Sequence, residues 1–241
     1  PRSVHARLVI NGTYLGLYAL TEQIDGRFTR THFANGKGNL YKEVWPLDSD
    51  GIPHVEETFL EHLKTNEDKN PNAHLIRTFA QEIAESDATM LQAVIAKWMN
   101  VEEIISYAVV DRVIRHDDGP FHWYCQGDQC FNHNYYWYQA AQEPRFWLIP
   151  WDLDNSFNTG QNNAVHIDAE WSQPGSCSCA FASQRAASCD TMIARWGTDW
   201  LADYELAVDA FIAGPFSAEN VDAKLDTWES QITAMVSETA G

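Results

Sequence analysis

The sequence predicts an α+β protein, with a small β-rich N-terminal lobe at residues 1–70 and a larger, mainly helical lobe at residues 71–241. Two observations support this prediction: a hairpin pattern of β-branched and aromatic residues opens the chain, and long stretches of helical periodicity follow it. A second hairpin pattern interrupts the helical lobe. The length of 241 residues fits one large domain or two small ones.

The N-terminal strands are predicted on either side of an Asn-Gly turn. Residues 4–10 and 14–21 are rich in β-branched and aromatic side chains, and Asn11-Gly12 tolerates positive φ at both positions of a type I′ turn. A third strand is predicted at residues 39–42, after a glycine-rich segment. The strands predicted within the helical lobe are residues 135–139 and 145–149.

The helices are predicted from apolar residues that recur at spacings near 3.6. Asn100, with Glu103 three residues later, forms a capping-box pattern that opens one of them. Gly214-Pro215 separates the last two. In chain order, the predicted helices are a short one near residues 55–64, two over residues 74–83 and 90–95 with a break near Ser86, one from residue 101 to about residue 115, and two at residues 199–212 and 217–236.

The charge balance limits the partners of the protein. The chain has 16 Lys and Arg residues against 34 Asp and Glu residues, so its formal net charge is −18. Such a negative field repels the phosphates of nucleic acids, and we therefore expect no nucleic-acid partner. We also expect no membrane span, because a spanning helix needs about 18 consecutive apolar residues. The most apolar stretch, residues 104–114, already contains Asp111 and Arg112.

The cysteines favour an oxidising compartment, and hence a secreted or cell-surface protein. All five lie in polar, turn-rich sequence. Cys125 and Cys130 share one loop, which a disulfide would close and stiffen. Cys177 and Cys179 are poorly spaced to pair with each other, so we expect a disulfide from either of them to Cys189. One thiol is then left over.

Three polar clusters flank the second predicted hairpin. They are His116-Asp117-Asp118-Gly119, His133-Asn134 and Pro150-Trp151-Asp152-Leu153-Asp154. A hairpin returns its two ends to the same side, so these clusters can converge. Amide and carboxylate oxygens suit Mg²⁺, and a further Asp is then free to orient or deprotonate an acceptor hydroxyl, as in a protein-kinase catalytic loop. The structural alternative is that acids at strand ends serve as caps and turn formers.

The residues themselves leave several choices open. Adjacent side chains point in different directions, and we favour Asp118 over Asp117 as the acid that faces the site because Asp118 is followed by Gly119. Asp154 is either a second metal ligand or a turn cap. Because no paired C-x-x-C or helical His spacing is present, ordinary hydrogen-bonding histidines are favoured over a zinc site built from His116, His122, His133, Cys125 and Cys130.

Several motifs in chain order resemble the CotH family of atypical kinases, named for a spore-coat protein. They are Asn11-Gly12-x-Tyr14-x-Gly16-Leu17-Tyr18-x-Leu20-x-Glu22, Gly38-Asn39-Leu40-Tyr41-Lys42, Asp118-Gly119, His133-Asn134-Tyr135 and Pro150-Trp151-Asp152-Leu153-Asp154. The resemblance implies one kinase-like domain over residues 1–241. It also implies a secreted or surface-associated protein that binds ATP with Mg²⁺ and phosphorylates Ser or Thr of protein substrates.

The resemblance also assigns roles to individual residues. Asp118 corresponds to the catalytic acid, and Asn134 and Asp152 correspond to the metal-binding amide and carboxylate. Lys42, at the end of a predicted strand, corresponds to the phosphate-binding lysine, for which a solvated strand-end lysine is the alternative. Glu22 is its expected carboxylate partner.

The chain departs from the family pattern in two respects. Members commonly carry an upstream segment rich in Arg, Gly, Ser and Lys, so we expect that part of the domain to be missing here. The interval between Asp118 and Asn134 is also longer than usual, because it holds the Cys125–Cys130 loop. These departures leave two alternatives open: a non-catalytic binding or assembly module of an extracellular surface structure, and a kinase-like enzyme that transfers AMP instead.

Overall fold

The computed structural model describes residues 1–68, 70–141, 143–157, 177 and 184–239, and it is a mixed α and β structure with small sheets, as predicted. Its strands are β1 (Ser3–Ile10), β2 (Thr13–Thr21), β3 (Asn39–Lys42), β4 (His122–Gln126), β5 (Gln129–Phe131), β6 (Tyr135–Gln139), β7 (Phe146–Pro150) and β8 (Gln184–Ala186). Its α-helices are α1 (Gly26–His32), α2 (Glu56–Glu61), α3 (His74–Glu85), α4 (Leu91–Trp98), α5 (Val101–Val113), α6 (Thr191–Asp199), α7 (Leu201–Ala213) and α8 (Ala218–Thr239). None of these helices is both long and apolar enough to cross a membrane.

The chain forms two compact units. One unit combines Pro1–Ile24 with Asp209–Gly241, and the other is Asp25–Val208. The first unit therefore joins segments from both ends of the sequence. The division into lobes at residue 70 stays a prediction.

The unit that contains both chain ends is built from the β1–β2 hairpin, the last residues of α7 and helix α8. The predicted type I′ turn is confirmed, with φ of 51° at Asn11 and 82° at Gly12. The hairpin packs on α8, where the Tyr14 hydroxyl donates to the Met235 carbonyl at 3.0 Å. Arg7 stacks over the Tyr14 ring at 4.3 Å, so one aromatic side chain links the strand to the helix.

A three-stranded antiparallel sheet, in the order β3–β6–β7, organises the unit Asp25–Val208. Strands β3 and β6 have the predicted bounds, and all five residues of β6 are buried. The register places Lys42 opposite Tyr136 and Tyr135 opposite Pro150. As a result, one end of the sheet brings together the last residue of β3, the start of β6 and the last residue of β7.

The core of this unit is built around Trp45. Its ring centroid lies 5.3 Å from that of Trp137 and 5.4 Å from that of Tyr135. The indole N–H of Trp45 donates to Asp190 at 3.0 Å, and the other carboxylate oxygen of Asp190 caps α6 by accepting from the N–H of Ile193. Burial raises the pKa of Asp190 to about 6, against the effect of these hydrogen bonds and of nearby Arg185.

Both predicted disulfide arrangements are confirmed in the described residues. Cys125 and Cys130 face each other across β4 and β5 and are bonded, and Cys177 is bonded to Cys189. Cys179 lies outside the described residues. Because the thiols of Cys125 and Cys130 are consumed in a disulfide, they supply no zinc ligands.

The helices agree with the prediction in place but differ in detail. Asn100 caps α5 as predicted, but its side chain accepts from the N–H of Glu102 at 3.1 Å. The predicted capping box is therefore wrong, and the Glu103 carboxylate interacts with Trp147 instead. Helices α1 and α6 and strands β4, β5 and β8 were not predicted. Helix α1 and the three strands are short, and the buried apolar residues of α6 span little more than one helical turn.

Candidate functional site

The polar clusters predicted from the sequence lie at the end of the β3–β6–β7 sheet where these strand termini meet. Asn134 directly precedes β6, Asp152 follows β7, and Lys42 ends β3. Asp118 lies in the segment between α5 and β4. All four residues belong to the unit Asp25–Val208, so their mutual geometry can be described.

Asn134 and Asp118 are in direct contact. The amide nitrogen Nδ2 of Asn134 donates to Oδ2 of Asp118 at 2.9 Å. The backbone of Asn134 is left-handed, with φ of 56°, which Asn tolerates better than most residues. Its carbonyl accepts from the N–H of Trp151 at 3.1 Å, so the start of β6 is tied to the segment that leads to Asp152. Asn134 bonds Asp118 through its amide nitrogen, so this bond does not use the amide oxygen. An oxygen is the ligand atom that a hard cation prefers.

Asp152 also has a left-handed backbone, with φ of 51°, and it precedes the 3₁₀ turn Leu153–Asn155. Its side chain is exposed, and its carbonyl accepts from Nε2 of His116 at 3.1 Å. Asp154 lies in the same turn, where its side chain is close enough to that of Asp152 for a hydrogen bond when one of them is protonated. The roles of Asp154 as a metal ligand and as a turn residue both remain compatible with this position.

Burial raises the pKa of two carboxyl groups of the site, those of Asp118 and Asp152. Partial burial raises the pKa of Asp118 above its ordinary value, although His133, His116 and the hydrogen bond from Asn134 act in the opposite direction. Desolvation followed by the charges of Asp154 and Asp118 raises the pKa of Asp152. Clustered carboxylates with raised pKa values mark a place where a bound cation would relieve repulsion.

A buried His116–Asp111 pair contacts the site at the main chain of Asp152. Nδ1 of His116 lies 3.0 Å from Oδ2 of Asp111, while Nε2 bonds the Asp152 carbonyl. Burial acts against a charged imidazole, but the hydrogen bond and charge of Asp111 outweigh it and raise the pKa of His116. Gly119 packs against this pair so closely that an added Cβ would lie 2.5 Å from both Oδ2 of Asp111 and Nδ1 of His116. The glycine of the Asp-Gly motif is therefore required by packing.

Asp117 occupies a different environment from Asp118. It is buried, its N–H donates to the Asn155 carbonyl at 3.0 Å, and its Oδ2 accepts from the Asn155 side chain at 3.3 Å. Its Oδ1 lies 2.7 Å from Nδ1 of His122. These contacts fix the backbone around the site, whereas the half-buried Asp118 carboxylate contacts Asn134.

Lys42 is tied to the site through Glu43. The Lys42 ammonium lies 3.7 Å from Oε1 of Glu43, and the same oxygen accepts from the N–H of Asn134 at 3.2 Å. Glu22 belongs to the other unit, where its carboxylate binds the guanidinium and N–H of Arg2. The pairing of Glu22 with Lys42 stays a prediction.

The residue types at the site, one amide and two exposed carboxylates, are of the kind that bind magnesium. Asn134 and Asp152 would hold the ion, with Asp154 as a further candidate. Within the described ranges, no group of three or more His, Cys, Asp or Glu side chains is arranged to hold a metal. A donor set of one amide and one or two carboxylates is typical of Mg²⁺, which keeps waters and takes substrate phosphate oxygens.

A cavity of about 470 Å³ adjoins the site. Glu43 and His133, the neighbours of Lys42 and Asn134, line it on one side. Asp48 and Asp50 line another part, and Trp45 and Trp123 contribute aromatic surface. The cavity has the size and the mixed polar and apolar lining of a small-molecule or peptide side-chain site.

Sequence reasoning missed two contributors to this site. Glu43 follows the predicted lysine directly, but its contact with Asn134 spans 91 positions of sequence. Asp111 was noted only as a charge within an apolar helix, and a buried acid on an apolar helix face is the pattern that could have identified it as the partner of His116.

Comparison with known families identifies the family of the chain. The model of the family described as CotH kinase protein matches residues 1–240. No curated protein matches the chain significantly. The family match covers both units and every motif on which the resemblance rested. The resemblance seen in the sequence is thus confirmed, and the chain belongs to the CotH family of kinase proteins.

Proposed function

We propose that this chain is a Mg²⁺- and ATP-dependent atypical protein kinase that phosphorylates Ser or Thr residues of secreted or cell-surface proteins. The observation that carries this proposal is the contact between Asp118 and Asn134. It lies at the same end of the sheet as Asp152, which follows β7. A base Asp, a metal-binding Asn and a metal-binding Asp are the parts that protein kinases use for phosphoryl transfer. The family of the chain supports a kinase-like activity.

Each residue has a distinct task in this proposal. Asp118 orients the acceptor hydroxyl and takes its proton, a task that its raised pKa favours. Asn134 and Asp152 hold the cation, and Lys42 binds phosphate oxygens. Bound Mg²⁺–ATP supplies the phosphoryl group and neutralises the charge that develops on it.

The substrate and location are part of the same proposal. Disulfides of the kind found here persist in oxidising compartments, which fits a secreted or surface-associated enzyme. The partners are then a nucleotide and a protein that presents a hydroxyl side chain.

Nucleotide binding and phosphate transfer test the proposal together. Calorimetric titration with ATP should give binding that depends on Mg²⁺, and radiolabelled γ-phosphate should be incorporated into a casein-like substrate. Asp118→Asn should retain nucleotide binding and lose transfer by at least about a hundredfold. Asp128→Asn, a matched change at an exposed turn residue, should leave both unchanged.

The outcomes separate the alternatives. Absence of Mg²⁺-dependent nucleotide binding would contradict the proposal. If the chain binds nucleotide but transfers no phosphate, and Asp118→Asn leaves nucleotide binding unchanged, the non-catalytic module is supported. Attachment of AMP to the product, detected by mass spectrometry, would show that the enzyme transfers AMP instead of phosphate.

A further inference from the structure

Glu43 connects two residues of the site that lie on different strands. Its Oε1 accepts from the N–H of Asn134 at 3.2 Å and lies 3.7 Å from the Lys42 ammonium. Its own N–H donates to the Tyr135 carbonyl at 3.2 Å. One residue thus bonds the start of β6 through both its main chain and its side chain.

The backbone at Glu43 is strained in a way that serves this contact. Its φ of 52° is left-handed, a conformation that a Glu residue seldom adopts. Lys42, just before it, is fixed by two bonds to His62: the Lys42 N–H donates to the His62 carbonyl at 2.9 Å, and His62 Nδ1 donates to the Lys42 carbonyl at 2.7 Å. His62 thus fixes the main chain at Lys42, and the chain turns sharply at the next residue. This turn places the Glu43 carboxylate against the N–H of Asn134.

Asn134 in turn depends on external bonds for its conformation. It is also left-handed, with φ of 56°, and in this conformation its side chain contacts Asp118. The bond from its N–H to Glu43 and the bond from the Trp151 N–H to its carbonyl hold the residue from both sides. Loss of the Glu43 carboxylate would release one of these two restraints.

We propose that Glu43 is a positioning residue of the phosphoryl-transfer site. Its carboxylate fixes the Asn134 main chain so that the amide faces Asp118, and it holds the Lys42 ammonium beside that amide. The inference rests on the proposed function for its catalytic consequence, but the positional claim concerns only contacts within the protein. In this proposal, Glu43 is a carboxylate that orients Lys42 within the unit Asp25–Val208.

Two substitutions separate the two contacts. Glu43→Gln keeps an oxygen that can accept from Asn134 and removes the charge beside Lys42. Glu43→Asn tolerates the left-handed backbone but is too short to reach Asn134. Glu85→Gln, at an exposed residue that ends α3, is the matched control for loss of one negative charge.

The first readout is the hydrogen-exchange rate of the Asn134 amide, measured by NMR on the whole chain. We expect Glu43→Asn to raise this rate about tenfold, the effect of one lost hydrogen bond, with an unfolding midpoint close to that of the wild type. Glu43→Gln and the control should leave the rate unchanged. An unchanged rate in a folded Glu43→Asn protein would overturn the positional claim, and so would faster exchange in the Glu43→Gln protein.

The second readout is catalytic and distinguishes positioning from stability. Glu43→Asn should raise the Mg²⁺ concentration for half-maximal transfer about tenfold, while Glu43→Gln should raise the KM for ATP about threefold at nearly constant Mg²⁺ dependence. Equal kinetics in all three proteins would overturn the catalytic part of the inference. If the wild-type chain shows no transfer, the proposed function fails, and the exchange rates still decide whether Glu43 positions Asn134.

Discussion

Asp190 should make the stability of this protein depend on pH in a specific direction. The carboxyl is buried in the aromatic core, and burial raises its pKa from an ordinary 3.8 to about 6. Between these two values the folded state holds a proton that the unfolded chain releases, so the free energy of unfolding falls as pH rises. The full loss is about 3 kcal/mol, at about 1.4 kcal/mol per pKa unit.

The substitution Asp190→Asn isolates this effect because it removes the titrating group and its other cost does not depend on pH. The variant loses one acceptor, since Trp45 and the N–H of Ile193 both donate to the carboxylate and an amide offers a single oxygen. That cost is about 1–3 kcal/mol and is independent of pH. The pH dependence of the difference between the two proteins therefore reports Asp190 alone.

Urea unfolding at about pH 4 and about pH 7.5 measures the difference. Ionisation of the unfolded chain is already under way at pH 4, so the wild-type protein should lose about 2 kcal/mol relative to Asp190→Asn between these two conditions. Asp128→Asn, at an exposed residue, should show no such change relative to the wild type. A difference that stays constant with pH would refute the reasoning, because it would mean that Arg185 and the hydrogen bonds keep the buried carboxyl ionised.

Three further predictions follow from the site and its surroundings. Gly119→Ala should lower the free energy of unfolding by about 2 kcal/mol, because its Cβ would lie 2.5 Å from two buried side-chain atoms. Gly26→Ala should be nearly neutral in the same urea titration, because its Cβ would meet the flexible end of Arg30 at 3.0 Å and Thr65 at an ordinary contact distance of 3.6 Å. Asp152→Asn should abolish Mg²⁺-dependent transfer without lowering the thermal unfolding midpoint, since nearby carboxylates already raise the pKa of Asp152; unfolding of this variant would show that the acid is structural. Replacing Cys125 and Cys130 together by Ser should cost about 2 kcal/mol or less in chemical denaturation, because the disulfide closes a short loop; a larger loss would show that it supports the core.

The sequence by itself determined the features that depend on local interactions. The Asn11-Gly12 turn, strands β3 and β6 and the Asn100 cap of α5 are set by the conformational preferences of neighbouring residues, and each lies where it was predicted. The family was also evident from the order of short motifs, because that order is a property of the chain.

Only the tertiary structure decided which side chains meet. The contacts of Glu43 with Asn134 and of His116 with Asp152 span 91 and 36 positions, and no local pattern encodes such distances. The same holds for the unit that joins Pro1–Ile24 to Asp209–Gly241, and for β4, β5 and β8, which are strands because they pair with one another. These strands are only three to five residues long, so packing and hydrogen bonds from distant parts of the chain determine their conformation.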